Sequence, residues 1–472
     1  MTTLTLHGHF ASLGNFGHSL RANCYVIKAQ CVDEIAEAFQ LARRNGLTVT
    51  VRGAGRSYND AALNGGGIVL DLSGLNHVLE WDPQTGRVTV EPGVTVQQLW
   101  QHTVEAGWWP PVVSGTMFTT LGGCLGANIH GKNNYRMGPI GEHVLEFTAL
   151  LPTGAQVTCS PTRNGDLFYA MIGGLGMLGV FTSITLQMKR IHSGLLEVRA
   201  RPSHNLHEHL GDLLENAPGS DYIVGWLDSM VGGKALGRGQ VHSARYLQEG
   251  EDPDARDTLL LKNQVLPPRI MGVFPKSILY IFMKPFGNNL AWGGVNTAKY
   301  LMSLRRHTFR QSHAAFHFLL DYVPNWELAY GRGGVIQYQS FLPTEAAEPA
   351  WSEMLALSIR RGLPSYLGVT KRHRPDKFLL SHALDGFSLA LDFKVTDGRR
   401  ARLSQLLQDF DRIVLEAGGR FYFAKNSETT AESTRRFLGD EAVAQFKRLK
   451  KRCDPNGLLE SDLYRRVFEG GD

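Results

Sequence analysis

Three glycine clusters constrain this chain more than any other feature. The first is Arg52-Gly53-Ala54-Gly55-Arg56-Ser57-Tyr58-Asn59-Asp60, and it comes after a β-like run at Leu47-Thr48-Val49-Thr50-Val51. A glycine turn after a strand lets several backbone N–H groups converge on one anion. The second cluster runs from Ser114-Gly115-Thr116 through Thr119-Thr120-Leu121-Gly122-Gly123 to Asn128-Ile129-His130-Gly131-Lys132-Asn133, and the third is Ile172-Gly173-Gly174-Leu175-Gly176. One such cluster equally suits an ordinary tight turn. Three of them, the first two beside small hydroxyl residues, read as a long cofactor threaded past bare backbone. No Gly-x-Gly-x-x-Gly opens a helix with an acid about 20 residues on, so this is not a Rossmann fingerprint. A Walker lysine motif is also missing.

A chain of 472 residues is longer than one hydrophobic core usually serves, so two domains are expected. A formal net charge of +5 argues against a dedicated nucleic-acid binder, while a local basic patch still suits phosphate or anionic lipid. The cysteines at 24, 31, 124, 159 and 453 are odd in number and form no Cys-x-x-Cys, which points to neither a disulfide framework nor a metal site. A reducing, cytoplasmic setting fits. The first residues carry no secretory pattern, and no apolar run is long enough to span a membrane.

Asp33 to Arg44 sets Ile35, Ala38, Phe39 and Ala42 on one helical face, with Gly46 as its stop. Strand patterns occur at 68–72 and 87–91, then a helix from Val96 to Ala106 closed by Gly107, and a hairpin over 143–159. Mixed elements without regular βαβ alternation indicate an α+β fold. Composition shifts near residue 190. From Leu259 to Leu304, apolar residues alternate with Lys262, Arg269, Lys276 and Lys284, and the stretch includes Tyr280-Ile281-Phe282-Met283-Lys284-Pro285-Phe286. That pattern fits either buried core with solvated lysines or a mobile, basic, greasy lid that meets a polyprenyl chain or a membrane surface.

Several segments carry a family resemblance: Gly55-Arg56-Ser57-Tyr58, Asn64-Gly65-Gly66-Gly67, Ile129-His130-Gly131-Lys132-Asn133, Ile336-Gln337-Tyr338-Gln339, and Ala424-Lys425-Asn426-Ser427 continuing through Thr429-Thr430-Ala431-Glu432. From roughly residue 15 onward the chain resembles the vanillyl-alcohol-oxidase-type FAD flavoproteins, in particular the branch that oxidises the ribose of a polyprenyl-phosphoryl sugar. The resemblance implies a two-domain fold. A discontinuous FAD domain would take residues 1–190 and 416–472, and a substrate domain with an antiparallel sheet and flanking helices would take 191–415. It implies oxidation of a secondary sugar alcohol, the 2'-hydroxyl of a polyprenyl-phosphoryl ribose, to a keto sugar. A separate NAD(P)H-dependent short-chain reductase would complete an inversion, and peripheral contact with the inner membrane surface is expected. Free alditol or aldonolactone oxidation, alkene reduction, and non-catalytic flavin or lipid binding are the alternatives.

The resemblance assigns FAD contacts to Gly53, Ala54, Gly55, Arg56, Ser57, Tyr58, Gly115, Thr116, Thr120, Gly122, Gly123, Asn128, Ile129, Val180 and Tyr422, mostly through backbone N–H groups. Spacing alone would make Lys425 a surface lysine; the resemblance makes it the first catalytic candidate, stabilising reduced-flavin charge or positioning the sugar hydroxyl. His130 either serves the substrate hydroxyls or hydrogen-bonds backbone at a cofactor turn. Tyr58 either approaches the reacting carbon or packs on the flavin. Gln337 and Gln339 share one strand face, which suits sugar recognition or a solvent-facing strand. Lys132 and Lys371 match substrate-pocket lysines. Two departures stand out. Relatives with covalent flavin carry histidine where this chain has Arg56, so dissociable FAD is expected. A family cysteine, the target of covalent nitroaromatic inhibitors, is replaced by Ala390, so insensitivity to that capture is expected.

Overall fold

A computed structural model describes residues 8–266, 269–270, 274–278, 280–281, 284, 287–305 and 307–470. Of the expected lid segment, residues 267–268, 271–273, 279, 282–283 and 285–286 lie outside the described residues.

The first sheet is small and mostly parallel. Its order is Gly8–Gly14, Arg21–Lys28, Ile68–Asp71, Val49–Arg52, and only the first pair is antiparallel. Helix Val32–Arg44 covers it with the stripe read from the sequence, Ile35, Ala38, Phe39 and Ala42, and Gly46 turns the chain at φ +63°. Those side chains pack with Ile27, Val49, Leu70 and Leu459 into a separate small core. Next comes a five-stranded antiparallel sheet, in the order Val78–Asp82, Arg87–Val90, Val180–Gln187, Val144–Leu150, Gln156–Cys159. The hairpin at 144–159 is as expected. Helix Val96–Thr103 starts on a Thr95–Gln98 capping box and passes through a short 3₁₀ turn to Gly107.

The third sheet has eight strands, all antiparallel, in the order His307–Ser312, Leu195–Ser203, Gly239–Tyr246, Tyr222–Leu227, Leu367–His373, Gly386–Lys394, Val335–Pro343, Arg420–Phe421. Val335–Pro343 and Gly386–Lys394 are buried almost throughout, which requires cover on both faces. Helices Thr344–Arg360 and Arg400–Glu416 cover one face, where Trp351 donates to Ser340 Oγ at 3.0 Å. The other face borders a large cavity. One continuous apolar core runs from Phe147 and Ile184 of the five-stranded sheet to Leu389 and Leu391 of the eight-stranded one. After the edge strand Arg420–Phe421, helices Ala431–Leu438 and Asp440–Cys453 carry the chain back to the first sheet. There Val49 N–H donates to Leu458 O at 2.7 Å and Glu460 N–H to Val49 O at 2.8 Å.

Candidate functional site

The glycine clusters meet in space. Strand Val49–Arg52 delivers Gly53 against Thr120, where an added Cβ would lie 2.0 Å from Thr120 Oγ1. Gly55 adopts φ +64°, and a Cβ there would strike the Arg52 guanidinium. Gly176, at φ +76°, leaves no room for a Cβ beside Val51. Thr120 caps the short helix Leu121–Gly126. Together they line a narrow groove that includes Gly53, Ser57, Thr120, Gly122, Gly123 and Val180. It leads into a cavity of about 450 Å³ that opens to solvent. A pocket for one small ligand is typically ~300–1,000 Å³, so the cavity holds one small ligand and the adjoining groove extends it.

Most of the expected cofactor contacts line the large cavity: Gly53, Ala54, Gly55, Arg56, Ser57 and Tyr58 from the first turn; Gly115, Thr116, Thr120, Gly123 and Ile129 from the second cluster; and Tyr422 from the late segment. Asn128 lines neither space. Its carboxamide oxygen accepts from Gly141 N–H at 3.0 Å, and its backbone turns at φ +43° to present Ile129 and His130. The residues fit FAD: the groove walls are glycine backbone and small hydroxyls flanked by apolar side chains such as Leu72 and Phe181, and the buried Arg56 Nε has no partner. Arg56 holds its guanidinium 5.1 Å from the Phe16 ring centroid and 5.5 Å from that of Phe118. An arginine offers no imidazole for a flavin bond.

Beyond the cradle lie the expected reacting residues. The late segment is fastened to the first turn by Tyr58 N–H to Ala424 O at 3.0 Å and by Asn59 to Phe423 O. Lys425 Nζ therefore sits 4.0 Å from the Tyr58 ring centroid. Burial pulls Lys425 down to about 7; the Asp392 carboxylate opposes that shift and Lys371 adds to it. Asp392 is buried behind Gln337, which donates to it, and burial raises its carboxyl above the usual range. The Tyr58 hydroxyl is buried without a partner, and burial holds it protonated. It is thus a donor in need of an acceptor.

His130 is engaged at both nitrogens, Nε2 lying 3.1 Å from the Gln339 carboxamide and Nδ1 3.4 Å from Lys371 Nζ. Burial first, then Lys371, His373, His382 and Lys425, push it well below its ordinary pKa, so the ring is neutral. It stacks edge-on to His373 at 4.8 Å and lies 5.3 Å from Tyr422. Gln337 and Gln339 are buried and line the cavity. The solvent-facing alternative for their strand is therefore wrong: the sheet's second face is covered.

The cavity floor is a register row across five strands. Gln339 faces Ala390, Ala390 faces Val369, Val369 faces Trp226 and Trp226 faces Gln240. Lys371 stands one row over, opposite Ser388. Lys132 enters from the second cluster, where its ammonium donates to Phe316 O and lies 4.3 Å from the Phe316 ring centroid. The sequence reading missed Trp226, His242, Lys299 and His317 on the cavity wall and Asp392 behind Gln337, because their meeting depends on strand order. Lys299 had one legible signal: it neighbours the buried stripe Asn296, Tyr300 and Ser303 of helix Asn289–Ser303. The expectation of solvated lysines over 259–304 needs correction at Lys276, which is buried with Nζ 4.2 Å from the Tyr322 ring centroid. In the same region Leu290 is 88% exposed and Met302 83% exposed. Among the described residues no helix is long and apolar enough to cross a membrane.

Comparison with known proteins agrees with this architecture. The FAD binding domain family matches residues 24–160. Decaprenylphosphoryl-beta-D-ribose oxidase of Mycolicibacterium smegmatis is 31% identical over 429 residues, covering 90% of each chain. D-lactate dehydrogenase of Anaerostipes hadrus is 31% identical over 169 residues, 34% of this chain and 36% of its own. A putative D-arabinono-1,4-lactone oxidase of Neurospora crassa is 30% identical over 161 residues, 34% of this chain and 29% of its own. A cradle of bare backbone, a cavity with room for substrate beside it, and a relative matched along nearly its whole length lead to one statement: this chain is an FAD-binding oxidoreductase and belongs to the family of decaprenylphosphoryl-beta-D-ribose oxidase.

Proposed function

We propose that this protein oxidises a secondary alcohol of a sugar, the 2'-hydroxyl of a polyprenyl-phosphoryl ribose, to the 2'-keto sugar, as the oxidative half of an epimerisation. The observation that carries this reading is the grouping of Lys425, Tyr58, Gln337 and Gln339 around one cavity that continues into the glycine groove. In it, residues 8–190 and 416–470 form the FAD domain and 191–415 the substrate domain. The relative matched over 90% of this chain, a decaprenylphosphoryl-beta-D-ribose oxidase by name, supports the sugar and its lipid carrier.

Bound FAD supplies a two-electron acceptor. The chain's own groups do the rest. Gln337 and Gln339 hold the sugar hydroxyls from the floor. Tyr58 donates its unpartnered O–H to the carbinol oxygen. Lys425, neutral in part near pH 7, accepts the carbinol proton. Accepting it leaves an ammonium in the cavity, a positive charge where the reaction delivers negative charge. His130 holds Gln339 in place.

A partial relative named as a lactone oxidase favours a second reading, oxidation of a free alditol or aldonolactone. Anaerobic flavin bleaching separates the two. Rapid bleaching by a short-chain polyprenyl-phosphoryl ribose supports the first reading. Bleaching by free alditols or lactones alone replaces it with the second. In the first reading an NAD(P)H-dependent short-chain reductase consumes the keto product, and the exposed Leu290 and Met302 of helix Asn289–Ser303 supply a peripheral membrane contact. The flavin is dissociable: acid precipitation should leave all of it in the supernatant, and yellow pelleted protein would refute that.

A further inference from the structure

Arg56, Lys132, Lys299, Lys371 and Lys425 all line the large cavity, and among the described residues no aspartate or glutamate does. Cations walled in without a counter-charge are costly unless a ligand brings one. Arg56 belongs to the first turn and Lys425 to the reacting end. Others stand at the far end of the floor, where Trp226 is three strand spacings from Gln339, or ~14 Å.

Helix Asn289–Ser303 is fixed over that end by buried polar contacts. Asn296 donates to Asp228 at 3.4 Å and to Tyr366 O at 3.3 Å, and Arg238 joins Asp228 to Thr297. The helix carries Lys299, an exposed residue whose ammonium lies 4.1 Å from the Trp226 ring centroid. Lys132 enters the same cavity from the second glycine cluster. Its carbonyl accepts from Ile223 N–H at 2.8 Å, next to Val224, which pairs with His242. Lys132 spends one N–H on Phe316 O and keeps the others free. On the same wall, burial first and then the charges of Lys132 and Lys299 hold His242 neutral. Burial pulls Lys132 down to about 7 and Lys299 to about 8. His317 adds a different group. Its Nδ1–H donates to His313 O at 2.8 Å, so Nε2 presents a lone pair that is buried, unpartnered and on the cavity wall.

We propose that Lys132 and Lys299 clamp the phosphate of a phosphorylated sugar ligand, while His317 Nε2 accepts a hydroxyl beside it. The clamp rests on the alcohol-oxidase reading only for the direction of the ligand, with the sugar between it and Lys425. The ~14 Å along the floor leaves room for one sugar ring, and Leu319 and Leu320 offer apolar lining for a hydrocarbon chain esterified to the phosphate.

Calorimetric titration of the FAD-loaded protein tests this without turnover, using inorganic phosphate, ribose 5-phosphate, a short-chain polyprenyl phosphate and the matching uncharged polyprenol. Lys299→Gln should weaken phosphate-bearing ligands about tenfold, Lys299→Arg should recover most of that, and polyprenol should be indifferent to both. A loss shared by ribose 5-phosphate and the lipid phosphate supports a clamp for phosphate as such; a loss for the lipid phosphate alone supports one for lipid-linked ligands. Unchanged phosphate affinity in Lys299→Gln overturns the clamp, as does equal weakening of polyprenol, which would mean lost packing on Trp226. If Lys299-dependent binding occurs but ribosyl phosphates never bleach the flavin, the clamp stands and the substrate reading falls. If bleaching occurs with a KM blind to Lys299, the reverse holds.

Discussion

The two ends of the long cavity are built from different materials. The groove end is backbone: glycines in left-handed or crowded positions, small hydroxyls, and Arg56 as its one charged side chain. The sheet end is side chain: four lysines, three histidines and three glutamines projecting from a pleated floor and the walls above it. A backbone surface recognises a shape that does not change during a reaction. A side-chain surface can change its protonation. The molecule thus separates holding a cofactor from handling protons, and each half should fail in its own way.

The largest expected effect is at the sheet end. Lys425→Ala should slow anaerobic bleaching by ~10²–10⁴-fold while the protein stays yellow, measured by stopped-flow absorbance. A colourless variant would break the separation. Next comes the groove. In Gly53→Ala the new Cβ would meet Thr120 Oγ1, and strain of ~1–3 kcal/mol should weaken FAD binding about tenfold or more, read as flavin in the filtrate; reconstitution with excess FAD should restore bleaching. Third is pH. Lys425 has a depressed pKa, so its neutral form dominates above about 7 and its cation below. The bleaching rate should fall about tenfold per unit as pH drops below that value, whereas FAD retention should not track the same curve. A rate that instead rises on acidification assigns the ammonium, not the free amine, to the reactive form. The smallest effect concerns the joint between the ends. Asn426 Oδ1 accepts from Gln339 N–H at 3.0 Å, so Asn426→Ala should cost about 1–2 kcal/mol in urea unfolding.

The same division explains what could be read in the sequence. Gly53, Gly55, Thr120 and Gly176 announce a backbone cradle because each stands in a short glycine-rich or hydroxyl-rich cluster that is legible by itself, although Gly53 packs on Thr120 and Gly176 on Val51 far along the chain. The helix at 32–44 and the strand carrying Gln337 and Gln339 can be derived from periodicity. Lys425 is a different case. No spacing separates it from a surface lysine, and only its match to a family segment does. Asp392 and Gln337 belong together because two strands pair in one register, and Lys299, His242 and His317 because a helix crosses a sheet of particular order. Such facts belong to topology, and local patterns do not encode them. Asn128 shows the converse: it sits in a glycine-flanked motif, yet its side chain only braces the turn.

Asn59 reaches Phe423 across 364 positions of chain, and Val49 is bracketed by Leu458 and Glu460. During synthesis the glycine turn therefore leaves the ribosome long before the segments that close it. Contacts of such sequence separation form slowly, and a growing chain cannot make them early. The groove itself is built from residues up to Phe181, but the large cavity gains Tyr422, Ala424 and Lys425 only when the late segment emerges, so its reacting end closes after its cofactor end.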